Sequence, residues 1–188
     1  MIQLNHIALL VRSARSGAGL LKKYGLVTGP LQTWEGEGTL EVYAGEESLS
    51  ARLLLMEAVK SGAYARALEK RGPGLHHLAV DVPDLGSYIA GLSGSGWLLH
   101  PASLKTAGQT KTAYLARPGM PLLIEVQERE QISLAPPLVE RLELALPQNG
   151  PALLAALGLG GSTQIASGKP ALCLTGGKVV DLTEFLDQ

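Results

Sequence analysis

The stretch HHLAVDVPDL (76–85) repeats an earlier stretch, LNHIALLVRSA (4–14), when His77 is placed over His6, 71 residues before it. In both stretches a segment rich in apolar residues follows the aligned histidine, and a polar break comes after it. This pattern is typical of a short strand that ends in a turn. The chain therefore contains an internal repeat, and its fold can be worked out from the two copies.

The same series of elements follows each predicted strand. A stretch of helical character comes next, at 13–26 in the first copy and at 83–97 in the second. Three β-like stretches then follow in each copy: 30–34, 39–46 and 51–59 in the first, and 97–103, 110–118 and 121–128 in the second. The sequence thus predicts two βαβββ units, joined by a connecting helix and a Gly-Pro-Gly turn within 60–74.

After two prolines at 136–137, the chain looks like a third and shorter copy. It has a strand-like stretch at 138–147, a short helical stretch at 150–159 and a hairpin at 170–182. Arg141 stands where the other copies have histidine. The predicted fold class is α+β, with paired βαβββ modules that form a cupped mixed sheet, plus a degenerate third βαβββ module. The predicted bounds are 1–59 for the first module, 60–74 for the linker helix, 75–130 for the second module and 138–188 for the third.

Composition excludes several classes of function. Hydrophobic residues make up 46% of the chain and charged residues 18%, which suits a packed globular protein. The formal net charge of −1 provides no basic field for a nucleic acid or an anionic membrane. Cys173 is the only cysteine, so an intrachain disulfide and a cysteine zinc cluster are excluded. With no apolar run of about 18 residues and no signal-peptide pattern, we expect a soluble, cytoplasmic protein.

Two histidines and one carboxylate indicate a metal site. Alternate side chains of a strand share a face, so His6 and His77 point into one cleft if the two units pack about a pseudo-twofold axis. Glu125 reaches the same cleft from a neighbouring strand. Such a three-ligand set leaves positions open for a substrate and suits a divalent ion: Co, Zn, Mn, Ni or Fe(II). The alternative is that both histidines are ordinary strand residues with satisfied hydrogen bonds.

These features resemble the vicinal oxygen chelate superfamily, which includes glyoxalase I, extradiol dioxygenases, bleomycin-resistance proteins and methylmalonyl-CoA epimerase. The segments ALEKRGPGLHHLAVDVPDL (67–85) and AGQTKTAYLARPGMPLLIEV (107–126) are most similar to the epimerases. The resemblance covers about residues 2–128 and leaves 129–188 outside. It implies metal ligands at His6, His77 and Glu125, and a catalytic pair formed by Glu41 and Glu125 on opposite faces of a substrate.

One position departs from the pattern. In the epimerases the fourth strand of the first unit also supplies a ligand, and the residue that matches Glu125 there is Leu54, which cannot coordinate a metal. Arg52 is predicted on the same face, where its charge would favour an anionic substrate. His100 and Tyr114 are further candidates for substrate binding, whereas His76 is predicted to face away from His77 and to be structural.

The leading functional prediction is a metal-dependent epimerase- or glyoxalase-like enzyme that acts on a small acyl-CoA or carbonyl substrate through an enolate. The alternatives are an extradiol-type Fe(II) dioxygenase and a non-catalytic binding protein of the bleomycin-resistance type. Because a third unit has no internal partner in this scheme, its apolar sheet face predicts a homodimer. The competing expectation is that 138–188 folds back on the first two units as a cap.

Overall fold

The computed structural model describes residues 1–105, 109–132, 134–159 and 161–185. Residues 106–108, 160 and 186–188, which the sequence assigned to the second and third units, lie outside the described residues. The strands are β1 (Gln3–Val11), β2 (Gln32–Trp34), β3 (Thr39–Ala44), β4 (Arg52–Ala58), β5 (Gly74–Val82), β6 (Leu98–Leu99), β7 (Thr112–Ala116), β8 (Leu123–Glu128), β9 (Val139–Leu144), β10 (Gln164–Ser167), β11 (Ala171–Leu174) and β12 (Val179–Asp181). The helices are α1 (Ala14–Lys23), α2 (Ala63–Arg71), α3 (Leu85–Gly91), α4 (Pro101–Leu104) and α5 (Gly150–Ala155), and a short 3-10 helix spans Leu182–Phe185.

Strands β1 to β8 form one mixed sheet in the order β2-β3-β4-β1-β5-β8-β7-β6. The first strands of the two units, β1 and β5, pair antiparallel at its centre. In each unit the fourth strand runs parallel to the first, as β4 does beside β1 and β8 beside β5. The sheet is therefore two copies of one arrangement related by a pseudo-twofold axis, and the predicted α+β fold with paired βαβββ units is confirmed.

Capping of the helices repeats with the same spacing. Helix α1 begins after Ser13, whose hydroxyl accepts a hydrogen bond from a backbone N–H of the first turn, and α3 begins after Asp84, whose carboxylate does the same. Glu57 accepts from the first N–H of α1 at 2.8 Å, and Glu128 accepts from the first N–H of α3 at 3.1 Å. Each member of these pairs lies 71 residues from its counterpart, as His6 does from His77.

The two faces of the large sheet have different partners. One face packs against α1 and joins the main core, with Leu9, Leu21 and Leu55 fully buried. The other face carries the cleft. Helix α2, the predicted linker helix, covers part of this second face, and an apolar cluster forms there between strand and helix residues: Ala8, Leu10, Leu54, Met56, Tyr64, Ala67 and Leu68.

The third unit has the predicted element order but a different strand order. Its sheet runs β10-β9-β11-β12, and the strand after the helix, β10, is the one that lies parallel to the first strand. In the first two units the parallel partner is the last strand. The hairpin predicted at 170–182 is present as β11 and β12, and Gly176 and Gly177 in its turn both have positive φ, a conformation that glycine adopts readily. The unit is thus not a topological copy of the others.

The third unit packs on its own chain. Its apolar residues belong to the same core cluster as the helix-side face of the large sheet, and Phe185 lies against Gly17 of α1. Two backbone hydrogen bonds join Ser50 to Pro136 and Leu138. The homodimer was predicted from an uncovered sheet face on this unit. That premise is wrong, because the apolar residues of the unit lie in an intrachain core.

Replacing Phe185 with alanine should reduce the free energy of unfolding by about 3–5 kcal/mol, since the ring is 1% exposed and the substitution leaves a cavity. Chemical denaturation of the variant beside Val179→Ala, at an exposed position of β12, measures the effect. If both variants unfold at the wild-type denaturant concentration, the third unit does not dock as described.

Among the helices of the described ranges, none is both long and apolar enough to traverse a lipid bilayer.

Candidate metal centre

Three side-chain donor atoms meet on the cleft face at the junction of the two units. His6 Nε2 lies 3.2 Å from His77 Nε2 and 3.6 Å from Glu125 Oε2, and His77 Nε2 lies 3.1 Å from the same carboxylate oxygen. His6 comes from β1, His77 from β5 and Glu125 from β8, three neighbouring strands. The structure therefore brings together all three of the predicted metal ligands.

The spacing of these atoms fits a metal ion. Ligands about 2.1 Å from a common ion are separated by about 3.0 Å at octahedral angles and about 3.4 Å at tetrahedral ones. The separations of 3.1 Å and 3.2 Å that involve His77 lie in this range, and the separation of 3.6 Å between His6 and Glu125 is slightly longer. Two imidazole nitrogens and a carboxylate oxygen are also a donor set that first-row divalent ions accept. The residues present thus can hold such an ion.

His6 and Glu125 are held in the protonation states that a cation requires. His6 is 2% exposed, and burial, with the nearby His77, lowers its pKa to about 3. Burial alone would raise the pKa of Glu125, but the hydrogen bond from His77 and the charges of both imidazoles hold it at about 2. At neutral pH His6 is therefore neutral and Glu125 is ionised, so a buried negative charge faces a nitrogen lone pair.

A hydrogen-bonded chain supports His6 from behind. Its Nδ1 lies 2.9 Å from Asn5 Oδ1, and the Asn5 amide nitrogen donates to Asp81 at 2.7 Å. Arg129 in turn donates to the other oxygen of Asp81 at 3.4 Å. Sequence reasoning did not single out Asn5 or Asp81, although the repeat could have pointed to Asn5, which is the counterpart of His76.

His76 lies beside His77 and does not face away from it. The two Nδ1 atoms are 2.9 Å apart, and the His76 ring also packs against Tyr64 at 5.1 Å between centroids. The cause is a β-bulge, because the pairing of β1 with β5 advances from Ala8↔His77 to Leu9↔Leu75 and skips His76. A bulge places two successive side chains on one face, so the alternation that predicted an outward His76 fails there.

The fourth-ligand position is apolar, as the sequence predicted. Glu125 pairs with Ala79, and Leu54 holds the equivalent place beside Ala8. Leu54 is 3% exposed and offers no donor atom. The described ligand set therefore has three protein members.

The cluster lies at the bottom of a cleft of about 890 Å³. From the first unit the cleft is lined by Glu41, Tyr43, Leu54 and Met56, and from the second by Thr112, Tyr114, Glu125 and Gln127. Exposed residues at its mouth include Trp34 and Lys60. The first half of the cleft thus has an apolar wall next to one buried carboxylate, Glu41, and the second half is polar.

Glu41 lies in this cleft on β3, separated from Glu125 in the sheet by three strands. The residue is 7% exposed, and Thr39 donates a hydrogen bond to its carboxylate at 2.7 Å. Burial raises the pKa of Glu41, and the charge of Glu37 adds to this. A carboxyl group with a raised pKa near a developing charge is suited to proton transfer close to neutral pH.

Tyr114 lines the cleft, as predicted for a substrate-binding residue. Its ring contacts His77 at 5.7 Å between centroids, and Tyr43, its repeat counterpart, contacts His6 at 5.5 Å. Burial raises the pKa of both phenols, that of Tyr43 to about 12. Both hydroxyls therefore remain protonated at neutral pH, and both can donate a hydrogen bond.

Two other predicted substrate-binding residues have different surroundings. Arg52 pairs with His6 in the sheet, and its guanidinium lies over the Tyr43 ring at 4.5 Å, a cation–π contact at the side of the cleft. His100 was predicted on a strand that lines the cleft, but β6 ends at Leu99 and His100 instead begins α4. Its Nδ1 accepts from the backbone N–H of Ala102 at 3.3 Å, and it is absent from the described residues that line the cleft.

Glu41→Gln should raise thermal stability at high pH. Because burial raises the folded-state pKa of Glu41 above its ordinary value of 4.5, stability falls as the pH rises through that ordinary value, and the loss is complete above the folded pKa. Glutamine removes this cost and can still accept from Thr39. We expect a melting temperature roughly 2 °C above wild type at pH 8 and no difference near pH 4. Thermal scans at both values test this, with Glu47→Gln, at an exposed position outside the described lining of the cleft, as control. A lower melting temperature of Glu41→Gln at pH 8 would contradict the prediction.

A scan against protein-family models and a search of curated proteins both found no match. Solved structures do match. A hypothetical protein from Bacillus halodurans C-125 is 20% identical, covers 70% of this chain and 97% of its own, and has a TM-score of 0.56. The methylmalonyl-CoA epimerase of Mycobacterium tuberculosis is 24% identical over 67% of this chain and 87% of its own, with a TM-score of 0.53. That of Streptomyces coelicolor, in complex with 2-nitronate-propionyl-CoA, is 16% identical over 69% of this chain and 98% of its own, with a TM-score of 0.53.

These structures cover 67–70% of this chain, and the first two units together make up about the same fraction of it. At such low identity the likeness concerns the fold alone. Over that length, the chain has the paired βαβββ fold of the methylmalonyl-CoA epimerases and the vicinal oxygen chelate superfamily, as its sequence motifs predicted.

Proposed function

We propose that this protein is a metal-dependent enzyme of the epimerase or glyoxalase type, which moves a proton next to the carbonyl group of a small acyl-CoA or related carbonyl compound. The observation that carries the proposal is the pairing, in one cleft, of a three-donor metal centre with a second buried carboxylate, Glu41, whose pKa is raised.

The roles of the residues follow from their positions. His6, His77 and Glu125 would hold the ion, which supplies Lewis-acid stabilisation of the substrate oxygen where negative charge develops. Glu41 takes the proton from the carbon next to the carbonyl on one side of the substrate. Glu125, which is separated from Glu41 in the sheet by three intervening strands, is the candidate for proton transfer on the other side. Tyr43 and Tyr114 donate hydrogen bonds to polar groups of the substrate from the two flanks.

The cleft also suits a substrate with one apolar end. Leu54 and Met56 form an apolar wall on the side of Glu41, while Thr112 and Gln127 lie on the other side. A volume of about 890 Å³ is enough for a ligand of drug size. We infer that the reacting acyl group lies with its alkyl part on Leu54 and its oxygen atoms towards the histidines.

A second candidate function is an Fe(II) dioxygenase of the extradiol type. The observation that favours it is Leu54, because its side chain leaves two histidines and one carboxylate, the ligand set of many non-haem Fe(II) oxygenases. In that reading Glu41 has no role in proton transfer.

The homodimer and the cytoplasmic location both stay predictions. The molar mass from light scattering tests the homodimer.

Metal analysis and solvent-exchange measurements discriminate these functions. The protein is expressed in medium supplemented with Co(II), Zn(II) or Fe(II), dialysed, and analysed for bound metal. The Co(II) form is then incubated with propionyl-CoA and methylmalonyl-CoA in D₂O, and deuterium at the carbon next to the thioester is followed by mass spectrometry. Deuterium incorporation that depends on the metal supports the proposal.

Two other results would replace it. Tight binding of iron together with oxygen consumption on a catechol, without deuterium exchange, would favour the dioxygenase. Failure to retain any of these metals would favour a binding protein of the bleomycin-resistance kind.

A further inference from the structure

The residue before each ligand histidine occupies a β-bulge. In β1 the pairing with β5 advances from Leu4↔Val80 to His6↔Ala79 and skips Asn5, just as it skips His76 in β5. Both bulged side chains turn to the cleft face and meet the Nδ1 atom of the histidine that follows them. Asn5 and His76 are therefore repeat counterparts in sequence, in backbone geometry and in contact.

The proton position on His6 follows from its chain of partners. A carboxylate only accepts hydrogen bonds, so the Asn5 amide nitrogen must be the atom that faces Asp81, and its oxygen faces His6. An amide oxygen also only accepts. Neutral His6 must then carry its proton on Nδ1, which leaves the lone pair on Nε2, towards the other donor atoms.

The contact behind His77 permits two arrangements, because each imidazole can donate or accept. If His76 donates from Nδ1, then His77 accepts there and keeps its proton on Nε2, where Glu125 lies at 3.1 Å. If His77 donates from Nδ1, its Nε2 lone pair is free. The first arrangement satisfies the buried carboxylate when no cation is present, and the second is the one that a metal ligand needs.

We propose that Asn5 and His76 are positioning residues with unequal tasks: Asn5 holds His6 permanently in its metal-binding tautomer, and His76 lets His77 exchange a proton on Nε2 for a metal ion by reversing the hydrogen bond between the two Nδ1 atoms. This inference rests on the metal centre of the proposed function.

The protons balance in this exchange. The Nε2 proton of His77 leaves to solvent, the shared proton moves from His76 Nδ1 to His77 Nδ1, and His76 takes up one proton at Nε2. The pair as a whole neither gains nor loses charge. His76 also keeps its ring against Tyr64 in both arrangements, so no side chain has to move.

The test uses four variants of the full chain. Asn5→Leu and His76→Phe remove the acceptor but keep comparable bulk, and His76→Asn installs in the second unit the amide that the first unit already has. His100→Phe is the matched control, because His100 caps α4 and is absent from the described lining of the cleft. Co(II) affinity is measured by competition with a chelator, and the visible absorption band of bound Co(II) reports ligand geometry.

We expect Asn5→Leu and His76→Phe to weaken Co(II) binding by about 10- to 100-fold. We expect His76→Asn and His100→Phe to bind it within a few-fold of wild type, with an unaltered absorption band. A purely structural role for His76 would leave His76→Phe, which keeps the bulk of the side chain, with the higher affinity and would make His76→Asn the more damaging change, and this outcome would overturn the inference. Wild-type affinity in both Asn5→Leu and His76→Phe would overturn it as well.

A second measurement separates this inference from the proposed function. Long-range ¹H–¹⁵N spectra of the imidazoles report which nitrogen carries the proton, both in the metal-free protein and after addition of Zn(II). We expect His6 to carry its proton on Nδ1 in both states, and His77 to change from Nε2–H to Nδ1–H on Zn(II) binding. Metal binding without this change at His77 would refute the exchange, whereas Zn(II) binding with the change but without substrate turnover would refute only the proposed function.

Discussion

Replacing His77 with alanine should abolish stable metal binding, with a loss of affinity of at least about 100-fold. This loss is larger than the loss expected when a residue that only hydrogen-bonds to a metal ligand is replaced. His77 Nε2 is the donor atom nearest to Glu125 and the one that connects it to His6. Without it two donor atoms 3.6 Å apart remain, and Leu54 provides no substitute. The metal content is measured by elemental analysis after dialysis against buffer, and the affinity is measured by titration with Co(II).

His100→Ala serves as the control for this experiment, since it removes an imidazole from a helix start outside the described lining of the cleft. It should retain the wild-type metal content. If the wild type binds less than one equivalent and His77→Ala binds the same amount, the three donor atoms are not a metal centre, and the cleft is better explained as a binding site for an organic ligand.

Glu41→Gln should retain the metal and lose about 10²- to 10⁴-fold in the rate of deuterium exchange at the carbon next to the thioester. Glutamine is nearly isosteric and can still accept the hydrogen bond from Thr39, so the shape of the cleft is kept. It cannot take up a proton. Exchange rates at saturating and at low acyl-CoA concentrations separate a loss in the chemical step from a loss in substrate binding, and the first is expected.

Glu37→Gln provides the matched comparison, because Glu37 is an exposed carboxylate at the mouth of the same cleft and accepts from Tyr64 at 3.0 Å. Its exchange rate should stay within a few-fold of wild type. Full exchange activity in Glu41→Gln, with loss in Glu125→Gln, would assign proton transfer to the second carboxylate alone and would remove Glu41 from the reaction.

Sequence reasoning predicted the core of this site because a strand repeats every two residues and the two units repeat with a constant offset. The alignment of His6 with His77 has an offset of 71 residues, and the same offset aligns Leu54 with Glu125. The observed strand registers agree, because Leu54 pairs with Ala8 and Glu125 pairs with Ala79. The meeting of the three candidate ligands thus followed from the repeat, whereas the expectation of a fourth ligand at the position of Leu54 came from the resemblance to the epimerases.

The parts that were missed depend on interactions that alternation does not encode. The bulge at His76 inserts one residue between two paired positions, which reverses the expected side of the sheet for that residue. Pro101 favours a helix start directly after His100, and that local preference overrode the strand pattern. The strand order of the third unit was not predictable from its element order, because either neighbour of β9 could have been its parallel partner.

The intrachain cover on the large sheet also affects how the protein is made. Leu9 and Leu55 belong to strands that a ribosome completes long before it adds Phe185, yet all three share one core. A nascent chain that has finished its first two units still exposes this apolar surface to other chains. We expect aggregation during synthesis to be the main hazard for truncated forms, and chaperone dependence to persist until the last residues of the third unit have emerged.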